Sequence, residues 1–197
     1  MRRTSTLLIV CTVALGWGGA PAGAQPIAHE LRVLVPEVIG IRIVGDGTGP
    51  RSVAFDYAAD PEGYVAAIDG AGVLRPTSVV RFDDVEVNAT RKGRWRLTVQ
   101  ATPFAHAGPG SPAGLALSDI RVERSRPQDA IVGPGNSATY ATSWTLSTVS
   151  TEIASRTGAT GGWRSLGFSG WDYRVAVDGD EAPGTYTTVV TYSLTAP

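Results

Sequence analysis

The residues that could support catalysis are few and lie far apart in the sequence. His29 and His106 are the only two histidines among the 197 residues. Neither has a second ligand at the spacing that holds zinc in proteins. A serine nucleophile would need a Gly-x-Ser-x-Gly turn between a strand and a helix, and residues 167–170 resemble only an ordinary turn. We therefore expect no catalytic residues, no metal site and no other cofactor.

Carboxylates are numerous, and two of them brought together in space could hydrolyse a glycosidic bond. Their positions, as in Asp83-Asp84 and in residues 178–181, are those expected of solvated turns. Acidic turns can also bind calcium, but residues 178–181 lack the spacing of an EF-hand, and a hairpin turn explains them equally well. Metal binding and carbohydrate hydrolysis are accordingly the less favoured interpretations.

An aromatic, glycine-rich segment between residues 161 and 173 is the main candidate for ligand binding. Trp171 and Tyr173 continue the alternating phase of the strand that follows, which predicts that both rings point into the core. Trp163 and Phe168 fall outside this phase, so they could lie on a loop and stack on a sugar ring or contact a partner protein. The alternative, that these two aromatics close one end of the fold, stays open.

Short strands are the elements that would position these side chains. Apolar residues occupy positions 31, 33 and 35 and then positions 39, 41 and 43, which indicates a strand with one buried face. In the last predicted strand, Tyr192 and Leu194 share a face, and threonines occupy the opposite, solvated face. Further strands of this kind are predicted at residues 79–82, 85–89, 95–99, 120–122, 140–146, 171–177 and 186–194.

Helices are expected to be short, and only residues 61–68 and 151–156 could form about two turns each. Residues 104–114 and 133–136 are rich in glycine and proline, which predicts loops. Regularly spaced short strands with such turns predict an all-β fold, namely an antiparallel β-sandwich of Greek-key or immunoglobulin-like type with at most one or two short helices.

The first 24 residues have the three-part pattern of a cleavable secretory signal peptide. Arg2 and Arg3 supply the positive start, residues 7–17 are apolar, and residues 22–24 are small. The apolar run is shorter than the roughly 20 residues that cross a membrane as a helix. We therefore expect a secreted protein without a transmembrane segment, located at the cell surface or in the cell wall, with residues 25–197 forming a single β-sandwich domain.

Cysteine content and charge narrow the possible stabilising features and partners. Cys11 is the only cysteine and lies within the predicted signal peptide, so the mature domain would rely on its apolar core and not on a disulfide. Loss of Arg2 and Arg3 would change the formal net charge from −1 to −3, with the charges scattered. This distribution is not that of a nucleic-acid-binding protein or of a polybasic membrane anchor.

Two short elements resemble the WxL domain family of bacterial surface proteins. The first is Trp95-Arg96-Leu97, and the second is Tyr192-Ser193-Leu194, which follows a Gly-Thr-Tyr entry at residues 184–186. Tyr192 stands where the family often has tryptophan. The resemblance covers about a third of the mature chain. It implies a β-sandwich held non-covalently at the cell surface, in the wall, with no enzymatic activity.

The same four residues also have a simpler interpretation. Trp95 and Leu97 alternate with arginines, as expected of side chains that point inward from one strand. Aromatic and aliphatic residues in this pattern are usually part of the core. We therefore predict that Trp95, Leu97, Tyr192 and Leu194 are core residues.

Three functions follow from these observations. The first is a non-catalytic, cell-surface or wall-associated domain that binds an envelope polymer, such as peptidoglycan or an associated glycan, or another surface protein. The second is a structural subunit, pilin-like or coat-like, joined to its neighbours by strand addition through its C-terminal or N-terminal strand. The third, and least favoured, is an extracellular carbohydrate-active enzyme.

Overall fold

Strands are the predominant secondary structure of the described chain. The computed structural model describes residues 39–89, 94–109, 114–126 and 138–196. The predicted signal peptide, His29, the first part of the strand predicted from residue 31, and the loop at residues 133–136 lie outside these ranges. With 45% of the described residues in strands and 11% in helices, the protein has the predicted all-β, sandwich-like fold.

All the strand pairs in the described ranges are antiparallel. The strands are β1 (Ile39–Val44), β2 (Ser52–Ala54), β3 (Val73–Leu74), β4 (Ser78–Val80), β5 (Asp84–Ala89), β6 (Arg94–Ala101), β7 (Ala105–Ala107), β8 (Ile120–Glu123), β9 (Ala138–Tyr140), β10 (Ser143–Thr145), β11 (Thr151–Thr157), β12 (Arg164–Ser165), β13 (Tyr173–Ala176), β14 (Thr185–Thr187) and β15 (Val190–Thr195). The helices are α1 (Pro61–Asp69) and two 3-10 turns (Leu117–Asp119 and Gly170–Asp172).

The strands form three larger sheets and two small pairs. The sheet orders are β1-β5-β12, β10-β8-β13-β3 and β15-β6-β11-β9, and the pairs are β14-β7 and β2-β4. The second and third sheets meet where the hydroxyl oxygens of Tyr173 on β13 and Tyr192 on β15 lie 2.7 Å apart. One apolar cluster fills the interior between them.

The alternation in β5 and β6 determines which side chains form this interior. In β6, Trp95 is 1% exposed and Leu97 is 0% exposed, and Arg96 between them faces outward. Strand β15 pairs with β6 so that Leu194 lies opposite Leu97. The structure thus brings the two elements that resemble the WxL family onto neighbouring strands, with Leu194 and Tyr192 partly buried against the core.

The helix predicted at residues 61–68 is present as α1. Its first position is Pro61, whose missing N–H is one that a helix start leaves unpaired in any case. Asp60 caps the helix by accepting a hydrogen bond from the Gly63 backbone N–H at 2.9 Å. A side chain on Gly63 would collide with this carboxylate, which explains the glycine.

The prediction of a helix at residues 151–156 is wrong, because this segment forms strand β11. It lies between β6 and β9 and bonds to both. A bulge between Glu152 and Ala154 places Ile153 and Ala154, two successive residues, in the core. Because of the bulge, the segment lacks the alternation of a strand. Its sequence pattern therefore resembled that of a short amphipathic helix.

Four smaller expectations also need correction. The predicted loop at residues 104–114 contains strand β7, which pairs with β14. The strand predicted at residues 140–146 is divided into the end of β9 and β10, and the one predicted at residues 186–194 is divided into β14 and β15. Trp171, expected in the core, is 52% exposed because it lies in the 3-10 turn Gly170–Asp172, and the alternating phase starts only at Tyr173.

We expect Leu97→Ala to destabilise the fold by about 2–5 kcal/mol, since it removes a fully buried side chain and leaves a cavity. Urea unfolding followed by circular dichroism would measure the change. The matched control is Ser193→Ala on the solvated face of β15, for which we expect a change within about 0.5 kcal/mol. Equal losses in the two variants would contradict the assignment of β6 to the centre of the core.

Candidate functional site

The described residues form a cleft of about 960 Å³. It is bordered by strands of the β10-β8-β13-β3 sheet, by β15, by β2 and the loop after it, and by α1 and β14. We call its buried lining residues the floor; they include Leu74, Phe82, Ile120, Leu146, Tyr173 and Val175. We call its partly exposed lining residues the rim; they include Tyr57, Tyr64, Phe104, Glu181 and Tyr186.

Two tyrosines at the cleft bond to each other. Tyr173 is 5% exposed, and its hydroxyl bonds to that of Tyr192. Burial raises the pKa of Tyr173 to about 12. Burial, and then the neighbouring Tyr173, raise the pKa of Tyr192 well above its ordinary value. Both side chains are therefore neutral hydroxyls at any physiological pH.

At the rim, Tyr64 connects helix α1 to the turn that follows β13. Its hydroxyl donates a hydrogen bond to Glu181 Oε2 at 2.8 Å, and the backbone N–H groups of Asp178 and Gly179 donate to the same carboxylate at 2.9 and 3.1 Å. Burial alone would raise the pKa of Glu181, but these hydrogen bonds outweigh it and lower the pKa. Burial and the bond to Glu181 raise the pKa of Tyr64 to about 12.

The other rim tyrosines are also bonded within the fold. Tyr57 donates its hydroxyl proton to the carbonyl of Arg75 at 3.0 Å, and Tyr186 donates to the carbonyl of Ala182 at 3.0 Å. The ring of His106 on β7 lies 4.6 Å from that of Tyr186. These contacts fix the orientations of the rings at the rim.

Phe168 lies in the core and not at the surface, so the interpretation of this residue as an exposed binding aromatic is wrong. It is 1% exposed, and its ring packs edge-on against Trp144 at a centroid distance of 4.8 Å. Its ring also lies 6.2 Å from that of Phe82.

Trp163 lies on the outside of the β1-β5-β12 sheet and is 39% exposed. The guanidinium of Arg42 lies 4.3 Å from the centre of its ring, and Arg42 also donates to Glu86 at 2.6 Å. A Cβ atom at Gly40 would lie 3.1 Å from the indole, so the glycine lets the ring lie close to β1. We call Gly40, Arg42, Glu86 and Trp163 the Trp163 patch.

Comparisons with protein-family models, with curated proteins and with solved structures give no match. The resemblance to the WxL family therefore stays a prediction. In the described ranges, no helix has both the length and the apolar character that crossing a membrane requires.

The sequence did not reveal the cleft. Its tyrosines come from the segment after β2, from α1, from β13, from β14 and from β15, and no spacing in the chain connects them. The one signal available was the inward face of the last strand, which correctly placed Tyr192 but did not show that it borders an open space.

We expect Tyr64→Phe to lower the free energy of unfolding by about 1 kcal/mol at pH 7, since the variant loses a hydrogen bond to a charged, partly exposed carboxylate. The lowered pKa of Glu181 gives stability that is present above its ordinary pKa of 4.5 and is lost as the pH falls through the folded-state value. The difference in free energy of unfolding between wild type and Tyr64→Phe should therefore be smaller at pH 2.5 than at pH 7.

Urea unfolding at both pH values measures this difference. The control is Glu181→Gln, which cannot ionise and should remove this contribution to the pH dependence. If wild type and Tyr64→Phe differ in free energy of unfolding by the same amount at pH 2.5 and pH 7, the ionised carboxylate of Glu181 does not contribute to the stabilising effect of Tyr64.

Proposed function

We propose that this protein is a non-catalytic binding protein that acts outside the cell and holds a ligand in the cleft. The observation that carries the proposal is the cleft itself, whose volume of about 960 Å³ lies near the upper end of the range for small-molecule sites. Its lining is mainly apolar and aromatic with a few polar groups, which is the usual composition of such sites.

The rim supports binding because its rings are already held in place. Tyr57, Tyr64 and Tyr186 each use the hydroxyl proton in a bond within the fold. A ligand that stacks on these rings would therefore immobilise few side chains. Preorganisation of this kind reduces the entropic cost of association.

The carboxylates at the cleft favour binding over hydrolysis. A glycosidase needs one carboxyl group with a raised pKa to act as general acid. The pKa of Glu181 is lowered, and Asp56 accepts a hydrogen bond at 3.1 Å from the Ala58 backbone N–H in its own turn. These carboxylates stabilise turns of the fold, which makes a carbohydrate-active enzyme the weaker alternative.

The proposed location rests on the signal-peptide pattern of residues 1–24, and the proposed association with the cell surface or wall rests on the resemblance to the WxL family. A wall polymer or another surface protein would need an accessible contact. The Trp163 patch offers one, since an exposed indole next to an arginine and a carboxylate can stack on a sugar ring and hydrogen-bond to its hydroxyls.

A structural subunit joined by strand addition has less support. Strand β15 ends its sheet in the described ranges, and an edge strand can accept a further strand. However, β1 lies close to β15, so an added strand would have to fit beside it. Gel filtration over a range of protein concentrations separates the two functions, because a subunit of an assembly would form oligomers as the concentration rises.

We expect Val190→Trp to weaken binding of the neutral dye N-phenyl-1-naphthylamine at least about tenfold, because the larger side chain would fill part of the cleft. Dye fluorescence during titration measures this. The matched control is Val149→Trp, at a position that is 70% exposed and lies outside the cleft. Equal dye affinity in the two folded variants would rule out the cleft as the binding site.

We expect Trp163→Ala to reduce the amount of protein retained on purified peptidoglycan sacculi while leaving the free energy of unfolding within about 0.5 kcal/mol of wild type. Co-sedimentation and urea unfolding measure the two quantities. Trp171→Ala is the control, since Trp171 is also exposed but lies outside the Trp163 patch. Unchanged retention of the Trp163 variant would remove the patch from the proposal.

A further inference from the structure

We infer that the cleft selects neutral, mainly apolar molecules that carry an accepting oxygen, such as a ketone or an ester, and that the Tyr173–Tyr192 pair donates a hydrogen bond to that oxygen. This inference rests on the proposed function of the cleft as a binding site. It adds the chemical class of the ligand and the residues that recognise it.

The first step is a count of hydroxyl hydrogens. Tyr173 and Tyr192 have two, and the 2.7 Å bond between their oxygens uses one of them. Within the described ranges neither hydroxyl has another hydrogen-bond partner. One O–H of the pair is therefore left to donate, and both side chains line the cleft.

The second step is the surroundings of that donor. The ring of Phe82 lies 6.1 Å from that of Tyr173 and 6.4 Å from that of Tyr192, edge-on to both. Apolar floor residues such as Ile120 and Val175 line the same space. An unused donor in apolar surroundings is costly, so a ligand that supplies an acceptor gains more here than it would in water.

The third step is the charge of the ligand. Arg51 is the one lysine or arginine among the described residues that line the cleft, and its exposed guanidinium donates to the carbonyl of Ile43 at 2.9 and 3.2 Å, whereas the floor beside the tyrosine pair is apolar. Transfer of a carboxylate or phosphate to an apolar floor without a cation is strongly unfavourable. The acceptor is therefore a neutral oxygen, and the remainder of the molecule contacts hydrocarbon and aromatic rings.

Two probes of the same shape test this inference: 2-acetylnaphthalene, which has a ketone oxygen, and 2-ethylnaphthalene, which has none. Their affinities follow from displacement of N-phenyl-1-naphthylamine. The ratio of ketone affinity to hydrocarbon affinity should be about fivefold higher for wild type than for the double variant Tyr173→Phe/Tyr192→Phe, as expected for one hydrogen bond.

The single variants give the sharper result. Tyr192→Phe removes one hydroxyl, but it frees the hydrogen of Tyr173, so a donor remains and the ratio should stay near that of wild type. Tyr57→Phe is the matched control at the rim, because the Tyr57 hydroxyl is already bonded to the Arg75 carbonyl. A purely structural role of the pair would change both affinities together and leave the ratio unaltered.

A measurement on the unmodified protein complements the variants. The infrared C=O stretch of bound 2-acetylnaphthalene should lie at a lower wavenumber than that of the same ketone in hexane, because a donated hydrogen bond weakens the carbonyl. A stretch equal to the hexane value, or an unchanged affinity ratio in the double variant, overturns the inference while leaving the cleft a binding site. Failure of both naphthalenes and of the dye to bind overturns the proposed function as well.

Discussion

Aromatic packing between the β10-β8-β13-β3 sheet and strand β15 is the contact on which the rest of the molecule depends. Phe168 packs against Trp144 and against Tyr192, and Phe82 contacts both Tyr173 and Tyr192. On one side of these rings the interior is closed by the core, and on the other side the cleft opens. Phe82, Tyr173 and Tyr192 thus belong both to this aromatic contact and to the lining of the cleft.

The hydrogen-bonding state of the buried aromatic residues differs between the core and the cleft. The indole N–H groups of Trp95 and Trp144 have no hydrogen-bond partner in the described ranges, although a buried indole usually finds an acceptor. At the cleft, by contrast, Tyr57, Tyr64 and Tyr186 are all bonded. The burial of the two large indole rings outweighs the cost of an indole N–H that has no partner among the described residues. The rim tyrosines bury less apolar surface, so hydrogen bonds within the fold contribute more to holding them in place.

Sequence patterns predicted the fold wherever a strand has one buried face. β5, β6 and β15 follow the period of two, because one side of each strand contacts the core and the other contacts solvent. The prediction failed at β11, where a bulge buries successive residues, and at Trp171, where a 3-10 turn interrupts the phase before β13 begins. The cleft could not be predicted at all, since it depends on how far apart distant strands lie, which a local pattern does not encode.

Different interactions hold the floor and the rim of the cleft in place. Floor residues such as Ile120 and Val175 belong to strands with hydrogen-bonded neighbours on both sides. Helix α1, at the rim, has no buried residue, and Tyr64 joins it to Glu181 by one hydrogen bond and to the ring of Tyr57 by a contact at 6.4 Å. Segments with few buried contacts open at a lower free-energy cost than strands in a sheet. The Tyr173–Tyr192 pair therefore lies on the more firmly held side of the cleft, while α1 contacts the core only through its partly buried residues Tyr64, Ala67 and Ile68.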